Sequence, residues 1–113
     1  MKNLEFIGGS DDDLRAFPAT ARRRAGYQLY LLQSGDEPFD WKPMPEVGRG
    51  CREIRVREAS GAYRVFYVAT RGENVFVLHC FSKKSRRTAR DDIEIGQQRY
   101  RAMTRILRER KQS

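Results

Sequence analysis

Residues 51–58, 63–70 and 75–81 read as three strand-forming runs joined by short turns, and they restrict the possible folds more than any other feature of the chain. In the first run Ile54 and Val56 fall on one side and Glu53, Arg55 and Arg57 on the other, the period-two alternation of a strand. Ser60–Gly61 supplies the turn into Tyr63–Thr70, a nearly unbroken apolar run except for Arg64. Arg71–Asn74 then turns into Val75–Phe81, which is again nearly all apolar. Adjacent runs of this kind belong at the centre of a sheet covered over much of both faces. The same region carries the charge. Residues 49–90 hold eleven Lys or Arg and three acids, a net charge that equals the +8 of the whole chain. A charge excess confined to a sheet and its exit is a footprint for a polyanion.

The flanking segments supply helices. Leu4, Phe6 and Ile7 suggest a short strand that Gly8–Gly9 stops. Ser10 with Asp13 three residues on resembles a capping box, and Asp11–Asp13 suit the positive end of a helix dipole. Pro18 opens a second helix, with Leu14, Phe17, Ala21, Ala25, Leu29 and Leu32 forming one apolar stripe across both, and Gly35 ends it. Residues 36–50 contain three prolines and no usable periodicity. Such a long connection is often functional or held by its own side chains. Trp41 within it is read first as a packing anchor and second as a platform for a base. Thr88 with Asp91 marks the start of a last helix, whose seam is Ala89, Ile93, Gly96, Tyr100, Met103 and Leu107. The expected architecture is one α+β domain over 1–113: a small antiparallel sheet packed against N-terminal helices and a C-terminal helix, with the helices on one face.

A chain of 113 residues with 39% hydrophobic residues builds a single core. It has no apolar run of membrane-spanning length, and its start lacks the apolar core of a signal peptide, so a cytoplasmic protein is expected. Cys51 and Cys80 are too few and too isolated for a disulfide framework or a zinc site, and both read as packed thiols. No Asp, Glu or His cluster has metal-ligand spacing, so no metal or other cofactor is expected.

Arg64 is the most informative residue, because a guanidinium in a central strand stays ionised and must find an anionic or carbonyl partner. Two readings follow: an ion pair with a helix acid or Glu53, or a phosphate clamp working with Arg55 and Arg57. Lys83, Lys84, Arg86 and Arg87 form a basic run that leaves the same sheet, and a helix start follows. For RNA cleavage, the consistent chemistry is metal-free attack of the 2′-hydroxyl on its own phosphate. Arg64 and Arg55 would stabilise the charge, and proton transfer would fall to Lys83, Lys84, His79 or a tyrosine. Arg49, Arg57, Arg86 and Arg87 would bind the rest of the strand.

The series WKPM, VGRGCREIRV, YRVFYV, VFVLHCFSKKSRRT and DIEIGQQRY resembles the HigB-like, phage-related branch of the RelE/ParE toxin superfamily. The similarity runs from AGYQLYLLQSG through the last helix. Its most telling parts are Gly50 to Arg55, Tyr63 to Tyr67 and Leu78 to Lys84. The resemblance implies the toxin of a type II toxin–antitoxin system, an endoribonuclease that cuts mRNA on the ribosome and inhibits translation. It implies a helix-turn-helix antitoxin of the HigA-like kind as partner, and a toxin that is monomeric outside that complex. It matches Arg55 and Arg57 to basic residues of the family's second strand, Arg64 to the arginine of its third, and Lys83–Lys84 to the basic end of its fourth. Glu53 stands where some relatives outside this branch carry lysine, and SRRTA replaces a frequent Thr-Pro. Two alternatives belong to other classes: a ParE-like toxin that inhibits DNA gyrase by binding, and a non-toxic basic RNA-binding module.

Overall fold

The computed structural model describes residues 1–69 and 72–112. In chain order its elements are β1 (Asn3–Phe6), α1 (Ser10–Arg15), α2 (Ala19–Gln33), β2 (Trp41–Pro43), β3 (Cys51–Glu58), β4 (Gly61–Ala69), β5 (Asn74–Lys83) and α3 (Arg90–Gln112). The three expected runs form an antiparallel meander, β3–β4–β5. The turn anticipated at Arg71–Asn74 begins, at Arg71, outside the described residues, as does Thr70 at the end of the second run.

The sheet is wider than the meander and is mixed, in the order β1-β5-β4-β3-β2. This corrects the expectation of a purely antiparallel sheet. β1 joins β5 in parallel, Phe6 opposite Val77, on the side of the meander away from β3. β2 adds an antiparallel edge, with Trp41 opposite Ile54, inside the segment that shows no periodicity. A three-residue strand takes its conformation from its pairing partner, so it leaves no pattern to find.

Helices cover both faces, not one. Leu14, Phe17, Ala21, Ala25, Leu29 and Leu32 pack on Ile54, Val56, Val65, Tyr67, Val75, Val77 and Cys80. Met103 of α3 and Met44 and Val47 of the loop pack on Phe66, Val68, Phe76, Leu78 and Phe81 across the sheet. The apolar character of β4 and β5 on both sides explains this, since α2 already fills the first face and the seam of α3 must cover the second. The approach is close at Gly96, where an added Cβ would lie 2.8 Å from Phe66 Cδ2. Met44 and Val47, 2% and 5% exposed, anchor the long loop. Trp41 is only half-buried, with the Arg52 guanidinium 4.0 Å above its ring.

Two hydroxyls expected to cap helices do other work. Ser10 is fully buried and donates to the Val77 carbonyl at 2.9 Å, pinning α1 to β5, while Gly9 occupies the cap position. Thr88 Oγ1 donates to Glu53 Oε2 at 3.3 Å, two residues before α3 begins. Both cysteines are free and buried, and burial pushes the Cys51 thiol up to about 12 and the Cys80 thiol higher still. Neither offers a thiolate near neutrality. No helix among the described residues is long and apolar enough to cross a membrane.

Candidate active site

The second face of the sheet is not covered to its end, and the uncovered corner is where the basic side chains collect. Pairing sets Arg55 directly opposite Arg64 across β3 and β4, and Ala62 opposite Lys83 across β4 and β5. Residues two apart share a face, so Arg55, Arg57, Arg64 and Lys83 project on the same side. With Lys42 of β2 and Lys84 and Arg86 beyond β5, they line an open groove of about 510 Å³. No acid is among the described residues that line it.

The compensating acid lies underneath. Glu53 is fully buried, with Oε1 3.5 Å from Arg64 Nε, 3.8 Å from Arg55 Nε and 3.9 Å from Lys42 Nζ. The ion-pair reading of Arg64 is therefore met by Glu53, and the same side chain also lines the groove. The pairing is Coulombic and loose, since Glu53 Oε1 and the Nε atoms of Arg55 and Arg64 make no hydrogen bond. Three cations around one carboxylate leave a net positive field at the base of the groove. Arg64 is 4% exposed and donates through Nη1 to the Tyr63 carbonyl at 3.0 Å. Burial lowers its pKa and the Glu53 charge opposes this, so it remains a cation at neutral pH.

Lys83 differs from the other groove cations in its proton affinity. Partial burial lowers its pKa below the ordinary lysine value, and repulsion by Arg64 adds to the shift. An ammonium pushed this way gives up its proton more readily, which suits a donor to a leaving oxygen. Arg55 is tied at its outer side to the exposed Asp40 at 3.8 Å. Lys84 and Arg86 stand at the rim.

Three anticipated site residues lie elsewhere. His79 is 5% exposed and sits between Asp92 Oδ1, 2.8 Å from Nε2, and Asp13 Oδ2, 3.5 Å from Nδ1. Its ring stacks on Phe81 at 4.8 Å, and Arg99 donates to Asp13 and to the Leu78 carbonyl beside it. It ties α1, β5 and α3 together and does not line the groove. Arg87 lines a neighbouring cleft at the start of α3, which it shares with Arg86. Arg49 is exposed at the middle of α3, where its carbonyl accepts from the Tyr100 hydroxyl at 2.7 Å. Reasoning from sequence also missed Lys42, for want of a β2 pattern, and the role of Thr88 as a donor to Glu53. The alternation of Glu53 with Arg55 was the available signal that the acid shares their face.

A groove of this composition at the open corner of a five-stranded sheet marks the chain as a small, basic α+β protein. Residues 12–101 match the family described as "Phage derived protein Gp49-like (DUF891)", and the chain belongs to that family. Among solved structures, the free state of a double arginine-to-alanine mutant of the E. coli toxin RelE is similar, with a TM-score of 0.56 and 18% identity. That likeness covers 89% of this chain and 96% of the RelE chain, so the fold is RelE-like. No curated protein matches the sequence significantly.

Proposed function

We propose that the protein is the toxin of a type II toxin–antitoxin system, in the HigB-like branch of the RelE superfamily, and that it cuts mRNA on the ribosome. The observation that carries this reading is the groove itself, where Arg64, Arg55 and Lys42 gather around a single buried carboxylate and the lining side chains include cations but no acid among the described residues. The RelE-like fold and the Gp49-like family support it. In the reaction, the 2′-hydroxyl of the substrate gives its proton to solvent water as its oxygen bonds to the adjacent phosphorus. The bond from phosphorus to the 5′-oxygen breaks, and solvent afterwards restores the proton that Lys83 donates. The products are a 2′,3′-cyclic phosphate and a 5′-hydroxyl. Arg64 and Arg55 stabilise the negative charge that grows on the non-bridging oxygens. The Lys83 ammonium protonates the departing 5′-oxygen, with Lys84 next to it at the rim. No step calls for a metal, because the cations of the chain supply the positive charge.

A surface this basic has to be silenced in the cell that makes it. The partner that fits is a helix-turn-helix antitoxin of the HigA-like kind, encoded beside the toxin and carrying acidic groups into the groove, where complementary potentials speed its capture. Outside that complex the toxin acts in the cytoplasm as a monomer.

Induction of the chain alone tests the reading. Protein synthesis should stop within minutes, with new 5′-hydroxyl ends within translated messages and no DNA-damage response. A DNA-damage response with intact messages would favour gyrase inhibition, and normal growth would favour a non-toxic RNA-binding module.

A further inference from the structure

Arg55 and Arg57 line a second cleft as well as the groove, on the far side of the β3 edge. This cleft of about 470 Å³ lies against α2, and Arg23, Arg24, Tyr27 and Phe39 complete its walls. Its rings are unusually bare, with Tyr27 48%, neighbouring Tyr30 50% and Phe39 76% exposed. They form a row, Tyr30 to Tyr27 at 6.3 Å and Tyr27 to Phe39 at 5.8 Å between centroids. Phe39 is held in place, since its backbone N–H donates at 2.7 Å to the side-chain oxygen of Gln28, itself 7% exposed.

We infer that this cleft is a stacking subsite for single-stranded RNA flanking the phosphodiester cut in the groove. The inference rests on the proposed nuclease function and adds a place for the bases beyond the reacting ones. Arginines interleaved with exposed aromatic rings are what single-stranded nucleic acid requires: the guanidinium groups take the phosphates and the ring faces take the bases. Continuity supports the same occupant, because a strand leaving the groove past Arg55 and Arg57 enters the cleft without crossing another element. Charge supports it too, with four arginines on the walls and Asp40, paired to Arg55, at the rim. A peptide adding as a strand is disfavoured. Along this edge the Arg57 carbonyl already accepts from Arg24 Nη1 at 2.6 Å, and the Arg55 N–H already donates to the Asp40 carbonyl at 2.9 Å. An added strand would have to displace both bonds, whereas the side chains above the edge stay open.

The test uses full-length protein and labelled, fully 2′-O-methylated RNA that cannot be cleaved, in a long (about 12-nucleotide) and a short (about 4-nucleotide) form spanning the usual range of site sizes. Fluorescence anisotropy would compare wild type with Tyr27→Ala/Phe39→Ala, whose rings are exposed, and thermal melting would establish that the variant is folded. The expected result is a loss of about tenfold or more in affinity for the long RNA and little change for the short one. In addition, 4-thiouridine placed along the long RNA should photo-crosslink to Tyr27 or Phe39. A folded double variant that binds the long RNA like wild type overturns the subsite while leaving the nuclease reading intact. So does a variant that keeps RNA affinity but no longer co-purifies with the adjacent-gene antitoxin, which would make the cleft a protein-docking surface. Wild-type protein that binds neither RNA, free or threaded on purified ribosomes, removes the nuclease reading, and this inference with it.

Discussion

Glu53 and Arg64 show how one buried acid can organise a cationic site without neutralising it. The acid has Arg64, Arg55 and Lys42 within 3.9 Å, so one negative charge meets three positive ones. Removing one partner of such a buried pair costs roughly 3–5 kcal/mol, because the other charge is left uncompensated. Lys83 carries the sharper consequence. Partial burial and Arg64 both lower its pKa from the ordinary 10.5, so the ammonium that we propose as proton donor is lost as pH rises through that lowered value. The alkaline limb of cleavage should therefore lie below 10.5, and NMR of ε-¹³C-labelled lysine should show Lys83 titrating with it. In Arg64→Ala the repulsion disappears and the Lys83 midpoint should move upward. A midpoint unmoved by Arg64→Ala would break the link between the two residues.

At the scale of elements, two helical glycines make opposite forecasts. Gly26 of α2 has nothing within 4 Å of an added Cβ, so Gly26→Ala should gain up to about 1 kcal/mol from helix propensity. Gly96 of α3 has Phe66 at 2.8 Å and Val47 at 3.2 Å, and both are buried. There the same propensity gain is outweighed by overpacking of roughly 1–3 kcal/mol, and Gly96→Ala should lower the melting temperature. Thermal unfolding of the two variants checks both signs. The strands of the meander were legible because burial on one or both faces writes itself into the residue pattern. The face chosen by α3 was not, since the Ala89–Leu107 seam shows that the helix packs without showing against what. The site divides in the same way. Arg55, Arg57 and Arg64 could be placed by strand alternation, whereas the seclusion of His79 depends on Asp13 and Asp92, brought to it only by tertiary folding.

Over the whole molecule, the +8 charge is unevenly spread, with 49–90 carrying the excess and the remaining residues balancing. Binding to RNA should accordingly weaken steeply with salt, by a slope set by the number of phosphates contacted. Exchanging Lys83, Lys84, Arg86 and Arg87 together for Gln should flatten that slope and reduce affinity strongly while the fold survives, since Lys84, Arg86 and Arg87 lie at the surface and Lys83 is only partly buried. An unchanged slope in the folded quadruple variant would show that the strand runs elsewhere. The central claim is that Arg64 stabilises the transition state of mRNA cleavage. It is tested by single-turnover cleavage of message on purified ribosomes, run beside thermal unfolding, with wild type, Arg64→Lys and Arg64→Ala. Arg64→Lys keeps the charge that balances Glu53 but lacks the planar fork, so it should stay folded and cut roughly 10²–10³ more slowly. Arg64→Ala should cut no faster and should also lose stability. A folded Arg64→Ala protein that cleaves message at the wild-type rate would contradict the account.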